Sequence, residues 1–221
     1  MTQHVDVAVI DYGMGNLHSV SKALQKVAPK AQVWVGDDPD VIRNAARVVY
    51  PGVGAIRDCI GEIAQRGLDE VILEVATSKP MLAICVGMQG LMRHSQENGG
   101  IDCLDVLPCE VEYFGDNFHD GDGTALKVPH MGWNTVHQTL DANGQSHALW
   151  RGIADNARFY FVHSYCVRAS RCDNLAGVAN YGFDIAAAVA RDNIFAVQFH
   201  PEKSHRDGLQ LLENFMHWDG S

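Results

Sequence analysis

Two periodicities alternate through the first half of this chain. Short apolar runs of strand character, VDVAVIDY (5–12), AQVWVG (31–36), ARVVYPG (46–52) and PMLAIC (80–85), are separated by stretches with helical spacing. In NLHSVSKALQKV (16–27), Leu17, Val20, Leu24 and Val27 share one helical face and Asn16 is placed to cap it. The segment 56–78 has helical spacing interrupted near Gly67, and GMQGLMRHS (87–95) reads as a further helix. Strands that alternate with helices predict an α/β fold with a mostly parallel central sheet covered on both faces.

The second half is richer in strands: CEVEYF, ALKVPHMGWNTV, RFYFVHSYCV, NLAGVANY, DIAAAVAR and IFAVQFH, which add antiparallel strands to the sheet. A last helix, DGLQLLENFMHW, sets Leu209, Leu212, Phe215 and Met216 at core-packing positions. The polar loop 115–124 carries Asp116, Asp120 and Asp122 in a spacing that loosely resembles a calcium loop but lacks its closing glutamate, so no metal is expected there.

At 221 residues, 47% of them hydrophobic, the chain is expected to form one domain over 1–221. No apolar stretch approaches a bilayer span, and MTQHVDVAVIDYG runs from a polar start straight into a strand, so a cytoplasmic protein is expected. A formal charge of −10 disfavours nonspecific contact with nucleic acid or an anionic membrane. The six cysteines form no CxxC pair and read as reduced thiols; the eleven histidines include no HExxH, and neither a metal nor a cofactor is expected.

Reactive groups in an open parallel sheet collect beyond the carboxyl ends of its strands, and Cys85 ends such a strand immediately before a predicted helix. Ala83 and Gly87 flank it at two residues on either side, a small-x-Cys-x-Gly pattern that permits the tight turn of a nucleophile elbow. A helix start favours the thiolate, and the Val86 amide is available to a developing oxyanion. From this segment alone, a buried thiol that merely fills space is an equal alternative.

VQFHPEKS (197–204) supplies the partners. His200 and Glu202 lie two residues apart, so in extended backbone both side chains face one side, and Pro201 biases His200 toward that conformation. A nucleophile, a base and an orienting acid in the order Cys, His, Glu point to acyl transfer through a thioester. The strand end YPGVG (50–54) offers Gly52 and Val53 for an oxyanion hole with Val86, or else a plain turn.

Taken together, ICVGMQ and FHPEKS resemble the class I (triad) glutamine amidotransferases, and DYGMGNLHSV, PGVG, VPHMGWN and YFVHSY are similar to the glutaminase subunits of imidazole glycerol phosphate synthases within that family. The likeness covers nearly the whole chain in order. It implies a flavodoxin-like domain in which Cys85 is the nucleophile, His200 the base and acid, and Glu202 its partner in the hydrolysis of glutamine to glutamate and ammonia. It further implies that Gln89, Glu97, Ser164 and Tyr165 contact glutamine. A (β/α)8-barrel cyclase is the implied partner, taking up the ammonia and facing Asn16, Trp133, Tyr160 and Lys203; the isolated chain would be a weak glutaminase. The elbow departs from the family's usual form, with alanine before Cys85 where glycine is common and valine after it in place of leucine. A paralogue that feeds another synthase, a cysteine hydrolase of similar fold, and a non-catalytic binding module remain as alternatives.

Overall fold

In the computed structural model, the described residues are 4–116 and 118–221. They build two sheets. The larger has nine strands: β1 (Val7–Ile10), β2 (Val33–Gly36), β3 (Val48–Gly52) and β4 (Met81–Cys85) from the first half, and β8 (His130–Gln138), β9 (Ala157–His163), β11 (Leu175–Tyr181), β12 (Phe183–Arg191) and β13 (Ile194–Val197) from the second. Their order is β2-β1-β3-β4-β13-β12-β11-β8-β9. Pairing is parallel from β2 as far as β13 and antiparallel from there to β9, so β13 carries the change of direction.

Strands β1, β3 and β4 are buried along their whole length, which is why they read as unbroken apolar runs instead of alternating ones. The helices that cover the sheet form two groups. Helix α1 (Leu17–Val27) packs against α6 (His205–His217), while α4 (Leu68–Ala76) packs against α2 (Pro39–Asn44) and α3 (Ile56–Gln65). The interruption expected near Gly67 separates α3 from α4, with Gly67 in the left-handed region at φ 64°.

Three features differ from expectation. The helix placed over 87–95 is only α5 (Val86–Gly90); the chain then extends as β5 (Met92–Ser95) in a second sheet ordered β10-β7-β5-β6, where β6 is Ile101–Asp102, β7 Leu107–Tyr113 and β10 Tyr165–Val167. Met88, Leu91 and Met92 are all buried, and their spacing imitates a helical face, although Leu91 and Met92 are held by backbone bonds from Asp105, Val106 and Leu107. Helix α2 was not expected; Asp38 caps it by accepting from the amides of Asp40 and Val41. Finally, the cysteines are not all free thiols: Cys109 on β7 and Cys172 are disulfide-bonded, at a Cα–Cα distance of 5.4 Å. Their separation of 63 residues is closed by the second sheet, which lays β10 beside β7. Nearby, Glu112 on β7 accepts from both Arg168 and Arg171.

Candidate active site

Cys85 is the last residue of β4 and takes φ 56°, ψ −111°, a conformation costly for a side-chain-bearing residue. The turn is possible because of Gly87: a Cβ there would lie 2.0 Å from the carbonyl oxygen of Tyr50 on the adjacent β3. The elbow therefore sits directly on its neighbouring strand. In that register Gly52 pairs with Cys85, and a Cβ on Gly52 would come within 2.7 Å of the Gly87 nitrogen. Close backbone approach at both glycines thus places Val53 and Val86 beside the sulfur.

His200 follows β13 at the point where the parallel and antiparallel parts of the sheet meet. Its amide donates to the Tyr160 carbonyl (2.9 Å), and its carbonyl accepts from the Ser204 hydroxyl (2.6 Å), which itself accepts from the Tyr160 amide (3.0 Å). Nδ1 of the imidazole lies 2.9 Å from Oε1 of Glu202, and the Glu202 side chain is fully enclosed. Among the described residues Nε2 of His200 has no hydrogen-bond partner, which leaves it available to exchange a proton in the cleft. Burial opposes the charged imidazole, but the sulfur of Cys85 and the Glu202 carboxylate together outweigh it, so the His200 pKa is raised.

A cavity of about 330 Å³ is lined by Val53, Gly54, Cys85, Val86, Gln89, Glu97, Pro129, Val162, His163, Ser164, Tyr165 and His200. That size suits a small, single-residue substrate. A larger depression of about 880 Å³ lies elsewhere, around 139–148 and Arg191, and contains none of the triad. Every residue expected to touch glutamine or the oxyanion lines the smaller cavity, apart from Gly52, which is buried just behind it. Glu97 also accepts from the Ile56 amide (3.0 Å) at the start of α3, which orients its carboxylate.

The four residues expected to face a partner lie close together beside the triad. Trp133 on β8 is opposite Tyr160 on β9, packs edge-on to it and stacks on His205. Trp133 is 37% exposed, so it does not fill the core. Lys203 is exposed and its Nζ lies 5.9 Å from the Tyr160 ring. Asn16 does precede α1, but its side chain does not cap the helix; it donates to Glu202 Oε1 at 3.2 Å.

One residue was missed from the sequence. Gln198 is fully buried; its Nε2 lies 3.8 Å from the Cys85 sulfur and its Oε1 accepts from Gln89 Nε2 (3.0 Å). Its position two residues before His200, just past the end of β13, was the available signal.

The model of the class-I glutamine amidotransferase family matches residues 8–218, and the chain belongs to that family. Within it, the chain is 56% identical over 214 residues to the imidazole glycerol phosphate synthase subunit HisH of Pseudomonas putida, covering 97% of this chain and 98% of that one. To the subunit of the same name from Thiobacillus denitrificans it is 57% identical over 216 residues, covering 97% and 92% of the two chains. Among solved structures, the glutaminase domain of Trypanosoma brucei CTPS with bound acivicin superposes with a TM-score of 0.62 at 15% identity, over 97% of this chain and 95% of that one. That likeness is one of fold. Among the described residues, no helix is long and apolar enough to cross a membrane.

Proposed function

We propose that this chain is the glutaminase subunit of a cytoplasmic imidazole glycerol phosphate synthase. It hydrolyses L-glutamine to glutamate and ammonia and passes the ammonia to a (β/α)8-barrel cyclase, which makes imidazole glycerol phosphate and an aminoimidazole carboxamide ribotide in histidine biosynthesis. The observation that carries this is the convergence of Cys85 and His200 on one small cavity, with Glu202 enclosed 2.9 Å from His200 Nδ1 and the nucleophile on a strained elbow. The likeness to the HisH subunits selects the synthase, and the family match over 8–218 supports a single amidotransferase domain.

The chemistry follows from the arrangement. The Cys85 sulfur attacks the side-chain carbonyl of glutamine while the amides of Val53 and Val86 receive the developing oxyanion. His200 takes the thiol proton and returns it from Nε2 to the departing nitrogen, releasing ammonia and leaving a glutamyl thioester. Water, deprotonated by the same imidazole, then hydrolyses the thioester. Glu202 holds His200 through Nδ1, so Nε2 is the atom that moves protons. In the bound substrate, the Glu97 carboxylate suits the α-ammonium group. Gln89, with backbone at Ser164 and Tyr165, bounds the rest of the molecule.

Ammonia released into neutral water is mostly protonated and no longer nucleophilic, so a docked partner preserves it. Asn16, Trp133, Tyr160 and Lys203 form the face that suits such docking. In a complex with the cyclase subunit, Cys85→Ala is expected to lower glutamine-dependent turnover by roughly 10³-fold or more, while ammonia supplied at high pH still drives cyclisation. Simultaneous loss of both activities in an intact complex would defeat the proposed division of labour, and peptide cleavage without glutamine turnover would favour a cysteine peptidase.

A further inference from the structure

A buried hydrogen-bond chain runs from β8 to the Cys85 sulfur, and its polarity is fixed by one atom. The carbonyl oxygen of Tyr165 can only accept. It receives Gln89 Nε2 at 2.9 Å, and His163 Nδ1 lies 2.8 Å from it. His163 must therefore carry its proton on Nδ1, which makes its Nε2 an acceptor in the neutral ring. His130 Nδ1 lies 2.9 Å from that Nε2, so His130 is likewise protonated at Nδ1. Its own Nε2 is then free to accept from Asn134 Nδ2 at 3.4 Å, and the same Nδ2 donates to the Asn180 carbonyl at 2.8 Å.

From the Tyr165 carbonyl the bond polarity also extends toward Cys85. Gln89 Nε2 donates both to Tyr165 O and to Gln198 Oε1, so the Gln198 amide must turn its own nitrogen toward the Cys85 sulfur. One backbone carbonyl thus dictates two histidine tautomers and two glutamine orientations.

The rings are also fixed in place. His130 is stacked between Phe161 (4.8 Å between centroids) and Tyr181 (4.0 Å), while Phe114 packs on His163 at 5.3 Å. Both histidines are buried, and His163 lines the cavity. A second proton on either ring would set two N–H groups against each other, and burial also holds both imidazoles neutral.

We infer that His130 and His163 are positioning residues for the glutaminase site: as a neutral pair of fixed tautomer they hold the Tyr165 carbonyl, and through Gln89 they orient the Gln198 amide on the nucleophile. This rests on the glutaminase function proposed above. It also gives β8, the strand that bears Trp133, a polar connection to the sulfur that passes through side chains and one carbonyl.

The test uses the complex with the cyclase subunit. His163→Leu is expected to raise KM for glutamine tenfold or more, with a smaller change in kcat. His163→Asn, whose amide can replace the Nδ1 donor toward Tyr165, is expected to recover most of that loss. Ammonia-driven turnover measures how much intact complex each preparation contains. Wild-type kcat/KM in His163→Leu, or equal impairment in both variants, would overturn the inference. For the unaltered protein, nitrogen NMR should find both rings neutral and protonated at Nδ1; an Nε2–H tautomer at His163 would overturn it even if His163→Leu fails to fold. Absence of glutamine turnover by the wild-type complex would instead count against the proposed function itself.

Discussion

The two halves of the large sheet do different work with different materials. From β2 to β4 the strands are short, parallel and almost wholly apolar inside, and they deliver a single reactive group, Cys85, by backbone geometry alone. From β13 to β9, and across into β10, the interior admits His130, His163, Gln198 and His200, and each is placed by hydrogen bonds between side chains and backbone. Cys85 is placed by packing, whereas His130, His163, Gln198 and His200 are placed by polarity.

If the first region works by steric fit, its most damaging lesion should be the smallest addition. Gly87→Ala puts a methyl group against the Tyr50 carbonyl, where the nearest contact would be 2.0 Å. Since that neighbour is strand backbone, a destabilisation of about 3 kcal/mol or more is expected together with loss of glutaminase activity. Thermal unfolding and glutamate release would show it; an active protein of unchanged midpoint would break the comparison.

In the second region an isosteric change should suffice. Glu202→Gln keeps the shape of the side chain but removes the charge that faces His200 Nδ1, and it allows the imidazole the wrong tautomer. We expect kcat for glutamine to fall by roughly 10²-fold or more with the unfolding midpoint nearly unchanged. A variant that loses stability in proportion to activity would show that the carboxylate is a packing element after all.

The smallest effect concerns acid. His130, at about 4, and His163, at about 3, have folded pKa values held by burial below the usual 6.5, so the unfolded chain binds their protons first as pH falls. Stability contributed by neutral burial is complete above 6.5 and is lost progressively as pH falls from there toward the folded values of about 4 and about 3. Urea midpoints from pH 7 to pH 4 would measure it. His200 has the opposite sign: its raised pKa adds stability below the unfolded value, and that share is lost as pH rises through the folded one. A chain whose midpoint is flat from pH 7 to pH 4 would remove the histidine pair from the list of buried neutral groups.

The same contrast decides what could be read in the sequence. The parallel strands and the elbow were legible because fully buried strands are written as unbroken apolar runs and because Cys85 has small neighbours at 83 and 87. The closeness of His200 and Glu202 was legible in their two-residue spacing. Local pattern failed where a partner distant in sequence sets the conformation: Met88, Leu91 and Met92 imitate a helical face yet 92–95 joins β7, and Cys109 meets Cys172 only because the second sheet brings them together. Helix α2 has six residues, too few to display a period, although Asp38 and Pro39 are the residues expected at its start. Gln198 and the histidine pair were invisible as a network, since hydrogen-bond polarity belongs to the folded arrangement.

The bond from Asn16 to Glu202 joins the residue that precedes α1 to the carboxylate facing His200 Nδ1. Helix α1 exposes His18, Lys22 and Lys26, while the Asn16 amide just before it and the Glu202 carboxylate are all that separate its N-terminus from the imidazole. One end of a surface helix thus abuts the carboxylate that faces His200, and shortening the Asn16 side chain would leave that oxygen with one donor fewer.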